Sequence, residues 1–205
     1  VSDTVPARQV RAVFTDRTIT VYQAYSPEIA LPALAAGRFV PPFRLGRMTW
    51  IKPSFLWMMY RSGWATKPGQ EFVLAITVDR AGLENALRTA VLSHYGPRRG
   101  HASRAEWSRA VRRSDVRVQW DPERDLRLSA LPYRSLQVGL SGAASARYVN
   151  EWTTSIEDVT PLARQVHTCA ATDPTAARAL LPPERPCPLP ADVTAAIGAT
   201  GPANP

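Results

Sequence analysis

The run from Met48 to Trp64 places three of the six tryptophans and all three methionines in one short stretch. A segment this rich in large apolar side chains has to be buried against the rest of the chain. It also contains Lys52, one of only two lysines (with Lys67) among 25 basic residues. Lysine carries a compact point charge on a flexible stem, whereas arginine carries a rigid planar fork. A chain that otherwise uses arginine keeps a lysine beside a tryptophan, which marks a place for a compact, movable ammonium. The plain alternative is a core helix with one snorkelling lysine.

The 205 residues, 45% of them hydrophobic, are enough for one domain with a sizeable core. No run of about 18 uninterrupted apolar residues occurs, so no membrane span is expected. Residues Val1 to Val10 are polar and lack an apolar signal core, and the expectation is a soluble, cytoplasmic protein. The net charge of +8 favours an anionic partner: nucleic acid, nucleotide or an acidic surface. Arg98, Arg99, Arg104, Arg109, Arg112, Arg113 and Arg117 carry much of that charge, as a phosphate-binding face or as a solvated helix and loop. Cys169 and Cys187 make neither a metal set nor a disulfide framework, and His94, His101 and His167 lack ligand spacing. No metal is expected. No phosphate-cradling glycine loop or nucleophile elbow is present.

Gln9 to Phe14 and Thr18 to Ala24 read as two strands around a turn. Ser26-Pro27-Glu28 opens a helix that Gly37 ends. Met48 to Lys52 reads as a short strand, and Pro53 or Ser54 starts a helix stopped near Gly63. Glu71 to Val78 is a buried strand, Arg80 to Leu92 an amphipathic helix, and Arg104 to Arg113 a basic helix. Val116 to Trp120 and Ser135 to Leu140 alternate as strands, with Asp121-Pro122-Glu123 a turn or helix start. Ala143 to Trp152 is a helix and Ile156 to Val159 a last strand. The sum is a mixed α+β domain over residues 1–168. Residues 169–205, rich in Pro and Ala, read as a loosely ordered tail with one helix near Asp192 to Ile197.

Arg8-Gln9-Val10-Arg11-Ala12, Val21 to Tyr25 and Thr49 to Phe55 together resemble a bacterial and fungal family catalogued as domain of unknown function 4291. Lys67 to Glu71, Gln119 to Arg124 and Arg134 to Leu140 extend the resemblance over roughly residues 8–167. It names a family without an activity. The order of elements also resembles the ADP-ribosyltransferase superfamily, which implies a mostly antiparallel split β-sheet core with flanking helices. On that resemblance Tyr22 to Tyr25 stands at the first motif, Trp50 to Tyr60 at the second strand and helix, and Ser135 to Gln137 at the last motif. Gln23 replaces the superfamily's His or Arg, Ala24 and Tyr25 replace Gly-Thr, and Gln137 stands where a Glu is usual.

The superfamily resemblance implies nicotinamide adenine dinucleotide (NAD) as substrate and a nucleic-acid or nucleotide-like acceptor. Cleaving the nicotinamide–ribose bond passes through an oxocarbenium-like centre, as glycoside hydrolysis does. Tyr22, Tyr25, Trp50 and Tyr60 are candidates for stacking, and Gln23 and Gln137 for bonding ribose hydroxyls in both senses. Arg8, Arg11 and Lys52 are candidates for phosphate, and Ser54 for an anion at a helix start. Gln137, Lys52 and Gln23 are the expected catalytic group; Glu71, Glu123 and Glu151 are the candidates if an acid is needed elsewhere. Each has a plain reading: Tyr22 and Trp50 as core aromatics, Gln137 as a mid-strand amide, Arg8 and Arg11 as partners of Asp16 or Glu71, Ser54 as a helix cap. Two rivals stand beside the transferase: a non-catalytic nucleic-acid-binding module, and an RNA 2′-phosphotransferase-like enzyme using Arg8, Arg11 and Lys52.

Overall fold

A computed structural model describes residues 5–96 and 102–200. The fold is α+β, with antiparallel-rich sheets flanked by helices. Strand β1 (Arg11–Ala12) is followed by β2 (Thr18–Tyr25) and helix α1 (Pro27–Ala36). Pro27 takes the first helical position and Gly37 ends α1 with φ 64°, while the Ser26 side chain makes no cap bond. Strand β3 (Thr49–Ile51) leads into α2 (Phe55–Ser62), then β4 (Phe72–Asp79) and α3 (Arg80–Arg88). Strand β5 (Val91–Leu92), α4 (Arg104–Arg113), β6 (Val116–Arg124) and β7 (Ala130–Leu140) follow. Helix α5 (Gly142–Arg147) runs into a π-turn over Tyr148–Trp152, then come β8 (Thr153–Asp158), α6 (Thr160–Thr172), α7 (Pro174–Ala179), β9 (Arg185–Pro186) and α8 (Ala191–Ile197).

One sheet has the order β2-β4-β8 and a second the order β3-β7-β6-β5; only β5 and β6 run parallel. The two-residue alternation in β7 sorts its side chains by character, although Ser135 and Gly139 are buried as well. Leu136, Val138 and Leu140 are buried in the core, and Ser135, Gln137 and Gly139 share the other face. The Met48–Trp64 run becomes β3, a turn and α2. Ser54 caps α2 by accepting from the Trp57 amide, and Phe55, Met58 and Met59 join Tyr22, Trp64, Ala163 and Val166 in a core cluster.

Several expected boundaries move. Arg80–Leu92 splits because Thr89 ends the helix and Val91–Leu92 pairs beside β6. Asp121-Pro122-Glu123 is not a turn but part of β6, its proline accommodated where the register with β7 shifts. The larger correction concerns residues 169–200. Their prolines punctuate short elements rather than loosening the chain, and Cys187, Leu189, Val193 and Ile197 are buried in the main core with Val10 and Trp120. β9 pairs with β1, and the Trp120 indole donates to the Ile197 carbonyl at 2.8 Å. Among the described residues, no helix is long and apolar enough to cross a membrane.

Candidate functional site

The two larger sheets meet at one point. The Tyr22 amide donates to the Lys52 carbonyl at 2.7 Å, and the Lys52 amide donates back to Tyr22 at 3.3 Å. Beyond that bridge Gln23 to Tyr25 and Thr49 to Trp50 part company, and a cleft of about 840 Å³ lies between them. That is within the ordinary size of a small-molecule site, roughly 300–1,000 Å³.

Gln23 spans the split. It is 3% exposed and fully engaged. Its Nε2 donates to the Tyr25 hydroxyl at 2.8 Å and to the Trp50 carbonyl at 3.2 Å, and its Oε1 accepts from the Tyr148 hydroxyl at 2.8 Å. A carboxamide has few other bonds to offer. Gln23, expected in the catalytic group, lines the cleft with its amide bonded to Tyr25, Trp50 and Tyr148.

Lys52 and Gln137 do come together at the cleft. Lys52 is 4% exposed, and its Nζ stands 4.7 Å from the Trp57 ring centroid. Burial, and secondarily the Arg61 guanidinium, press its pKa down to about 7, against an opposing pull from Asp121. Gln137 pairs in register with Gln119 across β7 and β6, and both amides reach Asp121: Gln119 Nε2 donates to Oδ1 at 2.7 Å and Gln137 Nε2 to Oδ2 at 3.3 Å. Asp121 is thus the acid nearest this group, rather than Glu71, Glu123 or Glu151. Sequence reasoning missed it by reading its segment as a turn; the two-residue spacing from Gln119, once the strand is extended, is the signal that finds it.

Arg44, Arg47 and Arg61 line the rest of the cleft, and no acidic side chain does so among the described residues. The Trp50 ring packs against Gly139 on β7, where a Cβ would come within 2.9 Å of it. The Trp57 Nε1 is a buried donor with no protein partner among the described residues. Such groups are rare in folded proteins, and this one belongs to a residue that lines the cleft. No set of three or more His, Cys, Asp or Glu able to hold a metal occurs among the described residues.

A family model described as "Domain of unknown function (DUF4291)" matches residues 9–187. The chain belongs to the DUF4291 family. No curated protein matches the sequence. The DUF4291 match runs past the expected boundary at residue 168 and takes in β9's Arg185 and Pro186 as well as Glu184.

Five of the expected site residues of this DUF4291 chain line the cleft: Gln23, Tyr25, Trp50, Lys52 and Gln137. Five do not. Tyr22 is 2% exposed and packs edge-on against Phe55 in the core. Tyr60 is 41% exposed and lies under the Arg124 guanidinium, outside the cleft. Arg11 donates to Gln9 and to the Glu184 carbonyl, and Arg8 lines a separate groove with Arg185 and Leu189. Ser54 donates to Glu123 Oε1 at 2.9 Å, while the free Phe55 amide at the start of α2 donates to Glu184 Oε1 at 2.6 Å. The place an outside anion would take at this helix start is filled by the chain's own carboxyl groups, those of Glu123 and Glu184. Burial raises the pKa of both, Glu184 to about 8. Arg98, Arg99 and His101 lie outside the described residues.

Proposed function

We propose that this DUF4291 protein is an ADP-ribosyltransferase-like enzyme that takes NAD in the cleft between its two sheets and modifies a nucleic-acid or nucleotide-like acceptor. The observation that carries the reading is the cleft itself: four cationic side chains and several aromatic ones with no acidic side chain among them, opening where two antiparallel-rich sheets diverge. Arg44, Arg47, Arg61 and Lys52 would meet the pyrophosphate, with arginine giving forked contacts and lysine a point charge. Trp50, Trp57 and Tyr25 would stack a ring. The Trp57 Nε1, without a partner among the described residues, and the side-chain amide of Gln137 would bond ribose or carboxamide groups.

Gln137 cannot stabilise a developing cation through charge. Asp121, held behind Gln137 and Gln119, can contribute that charge through them. This arrangement supports a departure from the usual Glu without loss of the local negative field. Arg8, Arg11 and Lys52 do not share a cleft, so the phosphotransferase reading loses the residue set that motivated it.

The nucleic-acid-binding reading keeps one favourable observation: Arg104, Arg109, Arg112 and Arg113 are all exposed on α4. It also serves the transferase as an acceptor surface. Calorimetry with NAD, followed by assay of released nicotinamide, tests the proposal. Binding with release, weakened by Arg61→Ala and abolished in rate by Asp121→Asn, is the expected result. A folded protein that neither binds NAD nor releases nicotinamide, yet binds nucleic acid with a steep salt dependence, would replace the transferase with the binding module.

A further inference from the structure

The cleft contains one amine, and among the described residues no carboxylate pairs with it directly; Asp121 acts on it only from beyond ion-pair distance. Among the described residues Lys52 Nζ makes no hydrogen bond and no ion pair; its named contact is the face of Trp57. An ammonium buried without a carboxylate partner is costly, and the neutral amine is the form such a place favours. The second lysine shows the contrast. Lys67 is exposed and donates to the Tyr60 and Arg61 carbonyls at 3.2 and 2.9 Å.

We propose that Lys52 is a nucleophilic amine that forms an imine with the open-chain aldehyde of a phosphorylated sugar, of which ADP-ribose is the type, held in this cleft. The proposal rests on the reading of the cleft as a sugar-nucleotide site and adds a covalent step to it. The phosphates would be met by Arg44, Arg47 and Arg61, which share the cleft with the amine. The unpartnered Trp57 Nε1, on the same indole that carries Lys52, offers a donor to a sugar oxygen.

The chemistry balances without an oxidant or reductant. The Lys52 nitrogen lone pair attacks the aldehyde carbon, and the carbonyl pair moves to oxygen, which takes up a proton. The carbinolamine then loses water as the nitrogen pair forms the C=N bond. Amine and aldehyde become imine and water, both hydrogens of the water coming from the amine. Lysine is the side chain that performs this reaction once it is desolvated beside another cation. Here Arg61 from α2 is that cation, and Asp121 from β6 is the charged group opposing it. Cys187 and the cleft phenol of Tyr25 are turned away from reactivity. Burial pushes the Cys187 thiol up to about 11 and raises the phenol of Tyr25 above its ordinary value.

Reductive trapping tests the inference. The protein is incubated with ADP-ribose, and separately with pyridoxal 5′-phosphate, in the presence of cyanoborohydride, which delivers hydride to an imine carbon. Intact mass and peptide mapping then locate the adduct. With only two lysines and one α-amine in the chain, the readout is clean. One adduct on the Lys52 peptide is expected, forming several-fold faster than any on Lys67, with a rate that rises with pH and levels above about 7. Lys52→Met should abolish it and Lys67→Arg should not. Thermal melts of Lys52→Met and the more conservative Lys52→Arg show whether each is folded. Labelling that Lys52→Met leaves unchanged, or that falls on Lys67 and the α-amine alike, overturns the proposal. Calorimetry with ADP-ribose separates the two readings. Binding without trapping removes the imine and leaves the cleft's function standing, whereas absence of both removes the cleft reading too.

Discussion

The Tyr148 hydroxyl donates to Gln23 Oε1 at 2.8 Å, joining residues 125 positions apart. Tyr148 is wholly buried at the start of the π-turn and Gln23 lies on β2, at the edge where the sheets separate. Tyr148→Phe leaves a buried amide oxygen without its donor and should cost about 1–3 kcal/mol. Urea denaturation measures the loss. Because the same amide fixes Tyr25 and Trp50, ligand binding in the cleft should weaken as well. An unchanged midpoint would mean that the bond contributes nothing to the fold.

Lys52 makes stability depend on pH in a defined direction. Its pKa in the fold is about 7 against an ordinary 10.5. Between those values the unfolded chain holds a proton that the folded chain does not, so stability rises with pH through that window, by at most about 1.4 kcal/mol per pH unit. The contribution is lost as pH falls through 7. Arg61 and Asp121 are the charged groups acting on it. Comparing denaturation of the wild type with Lys52→Met from pH 6 to about 10 isolates it: the two curves should converge as pH rises if Lys52 is the source.

Glu184 works in the opposite sense. Burial first, and the neighbouring Glu123 charge, raise it from 4.5 to about 8. Folded chains then hold the extra proton between those values, so its contribution is complete below 4.5 and is lost as pH rises through 8. Glu184→Gln should flatten this limb and make the protein more resistant to urea at pH 8 than the wild type. Equal stability of the two at pH 8 would show the carboxyl to be ionised without penalty.

Gly139 exists for Trp50. A Cβ at 139 would stand 2.9 Å from the indole, which must then move. Gly139→Ala should destabilise the fold by about 1–3 kcal/mol, and it should disturb the cleft wall at the same time. Loss of ADP-ribose or NAD affinity in calorimetry, larger than that caused by a surface change such as Arg127→Ala, is the expected outcome.

Residues 169–200 contribute to the core. Ile197→Ala should cost about 2–4 kcal/mol, because its side chain is wholly buried and its carbonyl receives the Trp120 indole. Ending the chain at residue 168 would remove Cys187, Leu189, Val193 and Ile197 from that core and should abolish cooperative melting. A truncated chain that melts like the full one would make residues 169–200 dispensable.

How much of this was legible depends on the range of the interaction. Local signals located α1, α2, α4, β4 and the alternating part of β7, since proline at a helix start, glycine at φ 64° and two-residue alternation act within a few residues. They failed at Asp121, because a turn-like Asp-Pro pair sits at a bulge that only pairing with β7 creates. They failed in the same way beyond residue 168, where proline and alanine conceal four buried side chains whose partners lie at the other end of the chain.

The sequence by itself determined the elements, the family, the positive charge and the presence of one lysine within an aromatic, apolar run. The tertiary structure decided which polar residues meet. Gln23 on β2, Lys52 just past β3 and Gln137 on β7 meet at the cleft through sheet pairing, while the side chains of Tyr22, Ser54 and Arg11 are engaged elsewhere. A residue's type sets what bonds it can make, but desolvation and the choice of partner arise only when distant strands are brought within a few ångströms, and those are what turn an ordinary lysine into one that titrates near pH 7.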